Sequence, residues 1–127
     1  MPYIIYILAI IVFMPLGLAM VSGALRMKQC ERFDNKNPRQ QMTQLTGSAA
    51  RALAAQQNAW EAAIVFIGAV FVAHLKDTPL ESLALAGFVF LIARLAHAFC
   101  YLFNFATPRS VCFIIGFLTC LYIAFLA

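Results

Sequence analysis

The sequence predicts an all-α integral membrane protein, folded as an antiparallel bundle of four transmembrane helices. Of its 127 residues, 64% are hydrophobic and only 11% are charged, against about 45–50% and about 25% in soluble domains. The mean hydropathy is positive, +0.86. The apolar residues also fall into long runs separated by polar connections. A water-soluble monomer of this size could not cover that much apolar surface, so membrane lipids are expected partners. The net charge of +4 would suggest nucleic acid in a soluble chain. Here the basic residues flank the apolar runs, and nucleic acid is not an expected partner.

The first span is expected over residues 3–25, YIIYILAIIVFMPLGLAMVSGAL. A bilayer core of about 30 Å needs about 20 helical residues. Pro15 lies mid-segment, which membrane helices tolerate with a kink. No basic stretch precedes the run and it is longer than a signal-peptide core, so it reads as a retained span. Residues 26–46, RMKQCERFDNKNPRQQMTQLT, form the one long polar connection, with a turn at Asn37-Pro38.

The second span is expected over 47–75. Its first half is alanine-rich and polar, and its second half is apolar but too short to cross alone. The polar half must therefore enter the headgroup zone or the bilayer itself. KDTP at 76–79 reads as a tight turn and ATPRS at 106–110 as another. A third span over 80–105 and a fourth over 110–126 complete a single four-helix domain. No internal repeat or low-complexity tract is visible.

Charge sets the expected orientation. Arg26, Lys28, Arg32, Lys36 and Arg39 lie in the long connection, and Arg109 lies in the 106–110 turn. Both connections fall on one side of a four-span bundle, while the other side has only Lys76 beside Asp77. Positive charge marks the cytoplasmic side, so the N- and C-termini are expected outside the cytoplasm. The four cysteines, Cys30, Cys100, Cys112 and Cys120, form no CxxC pair and no metal-ligand spacing with histidine. They read as apolar packing residues, with no disulfide framework and no metal site.

Polar residues inside the spans carry the functional signal. Arg51, Asn58 and Glu61 are spaced i, i+7 and i+10, on one stripe of the second helix. Arg94, His97 and Tyr101, spaced i, i+3 and i+7, share a stripe of the third. Opposed helix directions put the two stripes at matching depths, with Glu61 near Arg94 or His97. Arg109 and Ser110 open the fourth helix at the same end. An ionised group at mid-bilayer costs about 2.5–3.5 kcal/mol on insertion scales. A Glu61–Arg94 ion pair would account for two of these groups and leave the rest unexplained. His74, at a helix end near the outer interface, reads as structural.

The set offers several guanidiniums, one carboxylate, and hydroxyl and amide groups. Arginine forks match carboxylates bidentately, and a carboxylate holds an ammonium. A small zwitterion with two carboxylates and one amine fits that inventory. Glutathione has those groups and adds a thiol. A cation and a helix N-terminus, as at Arg109-Ser110, favour a thiolate.

RALAAQQNAWEAAIVF resembles the second-helix signature of the MAPEG family, the membrane-associated proteins of eicosanoid and glutathione metabolism. DNKNPRQ, ARLAHAFCY and PRSVCF are similar to the corresponding stretches of bacterial members, in the same order. The resemblance covers roughly residues 26–127. It implies a homotrimer in a bacterial inner membrane, with glutathione between neighbouring subunits on the cytoplasmic side and a lipophilic small-molecule substrate arriving from the bilayer. By residue, it implies that Asn58 and Glu61 contact glutathione, that His97 and Tyr101 lie near it, and that Arg109 activates its thiol beside Ser110. Gln56 matches a polar contact used by some members, and Arg26 matches a first-helix arginine. Arg51 and Arg94 complete the expected glutathione-binding set. Many animal members have arginine where this chain has Ala54, and some have tyrosine where it has Phe113. Arg51, one turn before Ala54, is placed to replace the first in part, and no residue replaces the second. These departures argue against eicosanoid synthesis and leave general glutathione chemistry, as transferase or peroxidase.

Two other classes fit four spans. One is a small proton-coupled multidrug exporter working through Glu61. The other is a catalytically inactive membrane scaffold. An exporter of cations needs a bare carboxylate, whereas here arginines outnumber acids around Glu61.

Overall fold

The computed structural model describes residues 1–127, and all of its regular structure is helical. Its elements are α1 (Tyr3–Cys30), a short α2 (Pro38–Met42), α3 (Gly47–Leu75), α4 (Ala84–Leu102) and α5 (Ala106–Leu121). A 3-10 turn, Leu80–Leu83, leads into α4, and a π-helical turn, Tyr122–Leu126, extends α5. Counting those turns, four helices are long and apolar enough to cross a membrane. This is an all-α integral membrane fold.

The buried positions follow helical periodicity. On α1 they are Ile4, Ile7, Ile11, Pro15, Leu18, Ser22 and Arg26, one stripe at steps of three and four. The facing stripe of α3 is Ala49, Ala52, Ala55, Ala59, Ala63, Phe66, Ala69, Val70 and Ala73. Small side chains let two helix backbones approach closely, which is how membrane helices gain packing energy without a hydrophobic drive. Phe66 of α3 and Phe90 of α4 stack with ring centroids 4.1 Å apart and planes 8° from parallel. They form the centre of a core that also takes in Cys120 and Ile123. The outward faces stay apolar: Phe13, Met20, Ile64, Leu85, Ile92 and Phe125 are all exposed on the isolated chain. Such a surface is stable in lipid and not in water.

Both ends of the bundle are tied. At the end bearing the long connection, Gln29 of α1 donates to the Thr46 carbonyl (3.0 Å), and Thr46 N–H donates to Gln29 Oε1 (3.0 Å). Within that connection, Gln41 accepts from Asp34 N–H (3.1 Å) and donates to the Arg32 carbonyl (2.8 Å). At the other end, Lys76 Nζ donates to the carbonyls of Ala124 (3.2 Å) and Ala127 (3.3 Å). These are the last carbonyls of a helix, which a cation favours.

Three boundaries correct the sequence reading. The first helix continues past residue 25 to Cys30, so Arg26 and Lys28 are helical rather than part of a loop. Within the long connection, Pro38 opens α2 at its first turn, where its missing N–H is no loss. The third helix stops at Leu102 rather than at 105, and residues 106–110 are the first turn of α5 rather than a connecting turn. The physical cause is Asn104, which takes the left-handed conformation at φ 62°. Asparagine tolerates that conformation, so the reversal fits into three residues. Pro108, in the first turn of α5, lacks only an N–H that would have had no helical partner.

At Gly87, α4 packs tightly against α1. A Cβ there would lie 2.6 Å from Ile4 Cδ1 and 2.9 Å from Ile7 Cδ1. Both neighbours are side-chain ends that can turn away. Gly87→Ala is therefore expected to be nearly neutral, while Gly87→Leu should destabilise by about 1–3 kcal/mol through overpacking. Combining Gly87→Leu with Ile4→Ala should recover part of that loss. Unfolding of the detergent-solubilised protein, followed by circular dichroism, measures all three.

Candidate functional site

The site is built on Arg94, near the middle of α4. Its side chain is only 3% exposed. Nη2 donates to Asn58 Oδ1 of α3 at 2.6 Å and approaches His97 Nδ1 at 3.3 Å. Arginine can only donate, so Nδ1 of His97 accepts and its ring proton sits on Nε2. The Arg94 Nε is buried with no partner. One guanidinium therefore joins α3 to α4 and keeps an unused donor. An unpaired buried donor costs about 1–3 kcal/mol, which makes the place around it a natural seat for a polar group.

From Arg94 a chain of contacts runs to the end of the bundle. His97 meets the Tyr101 ring edge-on, with centroids 5.5 Å apart. The Arg109 guanidinium lies over the Tyr101 ring, 4.5 Å from its centroid. Phe113 of α5 faces His97 at 6.5 Å. These contacts follow from the local sequence. Positions 94, 97 and 101 share one face of α4, and 109, 113 and 116 share one face of α5. The Asn104 reversal brings the two faces together.

Two cavities flank this chain. One, about 320 Å3, is lined by Asn58, His97, Tyr101, Arg109, Ser110, Phe113 and Ile114. The other, about 250 Å3, has Asn58, Glu61 and Arg94 among its lining residues, and is otherwise walled by Val65, Phe90, Phe113, Gly116, Phe117 and neighbouring small side chains. Asn58 and Phe113 belong to both. A polar chamber near the helix ends thus adjoins a mostly apolar one deeper in the bundle.

Of the residues expected from sequence, Asn58, Glu61, Arg94, His97, Tyr101, Arg109 and Ser110 are brought to these two chambers. Glu61 and Arg94 line the same cavity, as their helical register implied. The partners of Arg94 are nevertheless Asn58 and His97, and Glu61 stands exposed at the rim. Ser110 Oγ donates back to the Ala106 carbonyl at 3.2 Å, which leaves its oxygen lone pairs facing outward. Gln56 is half-buried on α3 and lines neither chamber. Arg51 Nε donates to the Leu102 carbonyl at 3.4 Å, so it neutralises the carboxyl end of α4 rather than facing either cavity. Arg26 is buried at 6% exposure on the α1 stripe that faces α3. The Phe33 ring covers it at 4.3 Å, and its Nε and Nη1 have no partner. Within one chain it stands apart from the two chambers.

Of the apolar half of the site, sequence reading noted only Phe113, as a departure from the tyrosine of some members, and missed the rest. Phe113 is the hinge between the chambers, and Phe90, Gly116 and Phe117 shape the deeper one. Their spacing from Arg94 was a usable signal, because an antiparallel partner of residue 94 must fall near residue 116 once the reversal is centred on 104–105.

The model of the MAPEG family matches residues 3–127, essentially the whole chain. No curated protein matches it.

The bond from Arg94 to Asn58 ties two spans. Asn58→Leu removes the only side-chain oxygen bonded to a buried guanidinium and is expected to destabilise by about 1–3 kcal/mol. Asn58→Asp, which keeps an acceptor, should remain closer to wild type. Thermal unfolding in detergent at neutral pH distinguishes the two.

Proposed function

The chain belongs to the MAPEG family, and from that premise we propose that it is a membrane-embedded glutathione-dependent transferase or peroxidase acting on lipophilic electrophiles. The observation that carries this reading is the pair of adjoining chambers. The polar one offers Arg109, Tyr101 and His97 to a charged, thiol-bearing peptide. The apolar one suits a substrate delivered from the lipid. Phe113 and Asn58 stand where the two would meet.

The roles follow from the chemistry of the groups. Glutathione would lie across the Asn58–Phe113 boundary, its thiol toward Arg109 and its charged ends toward Arg94 and Glu61 at the mouth of the second chamber. Arg109, held over Tyr101, is placed to stabilise the thiolate. A nucleophile activated in this way attacks an electrophilic carbon in conjugation or a peroxide oxygen in reduction. Holding both reactants in adjoining chambers supplies the proximity component of the rate. Arg26 and Arg51 are set aside from these steps within one chain. In a homotrimer, a neighbouring subunit would close the open side of the chambers and bring its own groups to them. The bundle end that carries the long basic connection faces the cytoplasm in this reading, so glutathione enters there.

The exporter alternative is weakened by geometry. Glu61 shares its cavity with the Arg94 guanidinium, which repels a lone cation held at Glu61, whereas a zwitterion brings a carboxylate to offset that charge.

Glutathione should raise the melting temperature of the purified protein, and Glu61→Gln should reduce that rise. Arg109→Ala should lower kcat for a chromogenic electrophile by about 10²-fold, the scale on which a single stabilising donor acts in a transition state. It should change glutathione affinity much less, since an interaction made only on activation appears in kcat. Equal losses in both quantities would remove the activating role, and no stabilisation by glutathione would remove the reading as a whole.

A further inference from the structure

The long connection between α1 and α3 folds into a polar pocket of about 410 Å3, lined by Cys30, Arg32, Asp34, Gln40, Gln41 and Gln44. None of these residues lines either chamber of the site. Gln41 is 7% exposed. Its bonds to Asp34 N–H and the Arg32 carbonyl fix the backbone that carries both charged groups. Asp34 Oδ1 accepts from the N–H groups of Lys36 (3.1 Å) and Asn37 (3.0 Å), so one of its oxygens is spent on the turn. Arg26 is buried under the Phe33 ring, which leaves Arg32 as the cation the pocket presents.

The level of this pocket in a bilayer follows from α1. Residues 3–25 carry no charge. At 1.5 Å per residue they rise about 35 Å, enough to cross a hydrocarbon core of about 30 Å. The last turn of α1, ending at Cys30, therefore stands in the headgroup layer, and the pocket stands with it. The two bundle ends differ in charge. Residues 26–46 hold five cations and two acids, whereas 76–81 hold one lysine and two acids. Anionic headgroups gather at the first end. From Cys30 back along α1, positions 27, 23, 20, 16 and 13 form one stripe at steps of three and four. Met27, Met20, Leu16 and Phe13 are exposed on it, and Gly23 leaves open space where a side chain would stand. A shallow apolar track thus leads from the pocket into the membrane.

We propose that the pocket and track together bind an anionic phospholipid with a hydroxylated headgroup, of the phosphatidylglycerol type. Arg32 takes the phosphodiester, which its planar fork matches. The Gln40 and Gln44 amides and Asp34 Oδ2 take the headgroup hydroxyls, and one acyl chain follows the track from Met27 to Phe13. A choline headgroup has no hydroxyl to give and brings a second cation toward Arg32. This assignment does not depend on the glutathione reading.

The test uses the full chain in dodecyl maltoside, with bound lipid counted by native mass spectrometry. Phosphatidylglycerol should bind about 10-fold more tightly than phosphatidylcholine with the same acyl chains, the scale of a charge-assisted bond. Arg32→Gln should abolish that preference. Lys36→Gln, which removes the same charge outside the pocket, should cost no more than about 5-fold, the scale of a diffuse charge at a membrane surface. Both side chains are exposed, so neither change threatens the fold. In nanodiscs, phosphatidylglycerol with a photoreactive diazirine in its acyl chain should label the α1 peptide containing Met20 and Met27. Equal binding of the two lipids, or equal losses in the two variants, would reduce the effect to diffuse charge and overturn the proposal. So would labelling on other helices only, as when a second copy of the chain covers the track, equally tight binding of glycerol 3-phosphate without acyl chains, or displacement of the lipid by glutathione.

Discussion

A guanidinium buried between helices constrains everything around it. Arg94 sits among apolar side chains in a bilayer-spanning bundle, where bringing an ion out of water is expensive by several kcal/mol. Asn58 on the neighbouring helix offsets part of that with a charge-assisted bond of 2.6 Å, and His97 one turn on offers an acceptor. That arrangement fixes the relative rotation of α3 and α4, because any other rotation would strand the charge. The Phe66–Phe90 stack lies on the same pair of helices and locks the rotation from the apolar side.

The chambers follow from that rotation. With Arg94 turned toward α3, the same face of α4 presents His97 and Tyr101 toward the helix ends and Phe90 toward the middle. Helix α5, returned by the short turn at Asn104, covers this face with Arg109, Phe113 and Gly116. Polarity therefore grades along one groove, from Arg109 at the bundle end to Phe117 two turns farther along α5. A grooved boundary between a charged chamber and an apolar one is what chemistry between a water-soluble thiol and a lipid-soluble partner requires. The α1–α3 pair, packed through a ladder of alanines, forms the rigid wall behind it.

The legible part of the site was the set of costly residues. Ionic and amide side chains within apolar runs stand out, and helical spacing puts Asn58 with Glu61, and Arg94 with His97 and Tyr101, on shared stripes. The structure brings all of these to the two chambers. Spacing is silent on which neighbour each group chooses. Glu61 was the electrostatic candidate for Arg94, but Asn58, one turn nearer the end of α3, makes the bond. Arg51 has the right stripe, yet the free carbonyl at Leu102 is closer to it than either cavity. Arg26 has the right charge and end, but its stripe is the one α1 turns toward α3, under Phe33.

The sequence by itself determined the four apolar helices, their antiparallel order and the short list of polar residues that the bilayer makes expensive. Those properties are set by hydropathy and by the 3.6-residue period, both of which are local. Only the tertiary structure decided where α4 ends, which acceptor Arg94 finds and how Phe113 divides the groove. Each of these depends on the rotation and register of one helix against another. That choice is made by the packing of whole helix faces and by a single left-handed residue at the turn, and neither can be read from the spacing within one segment.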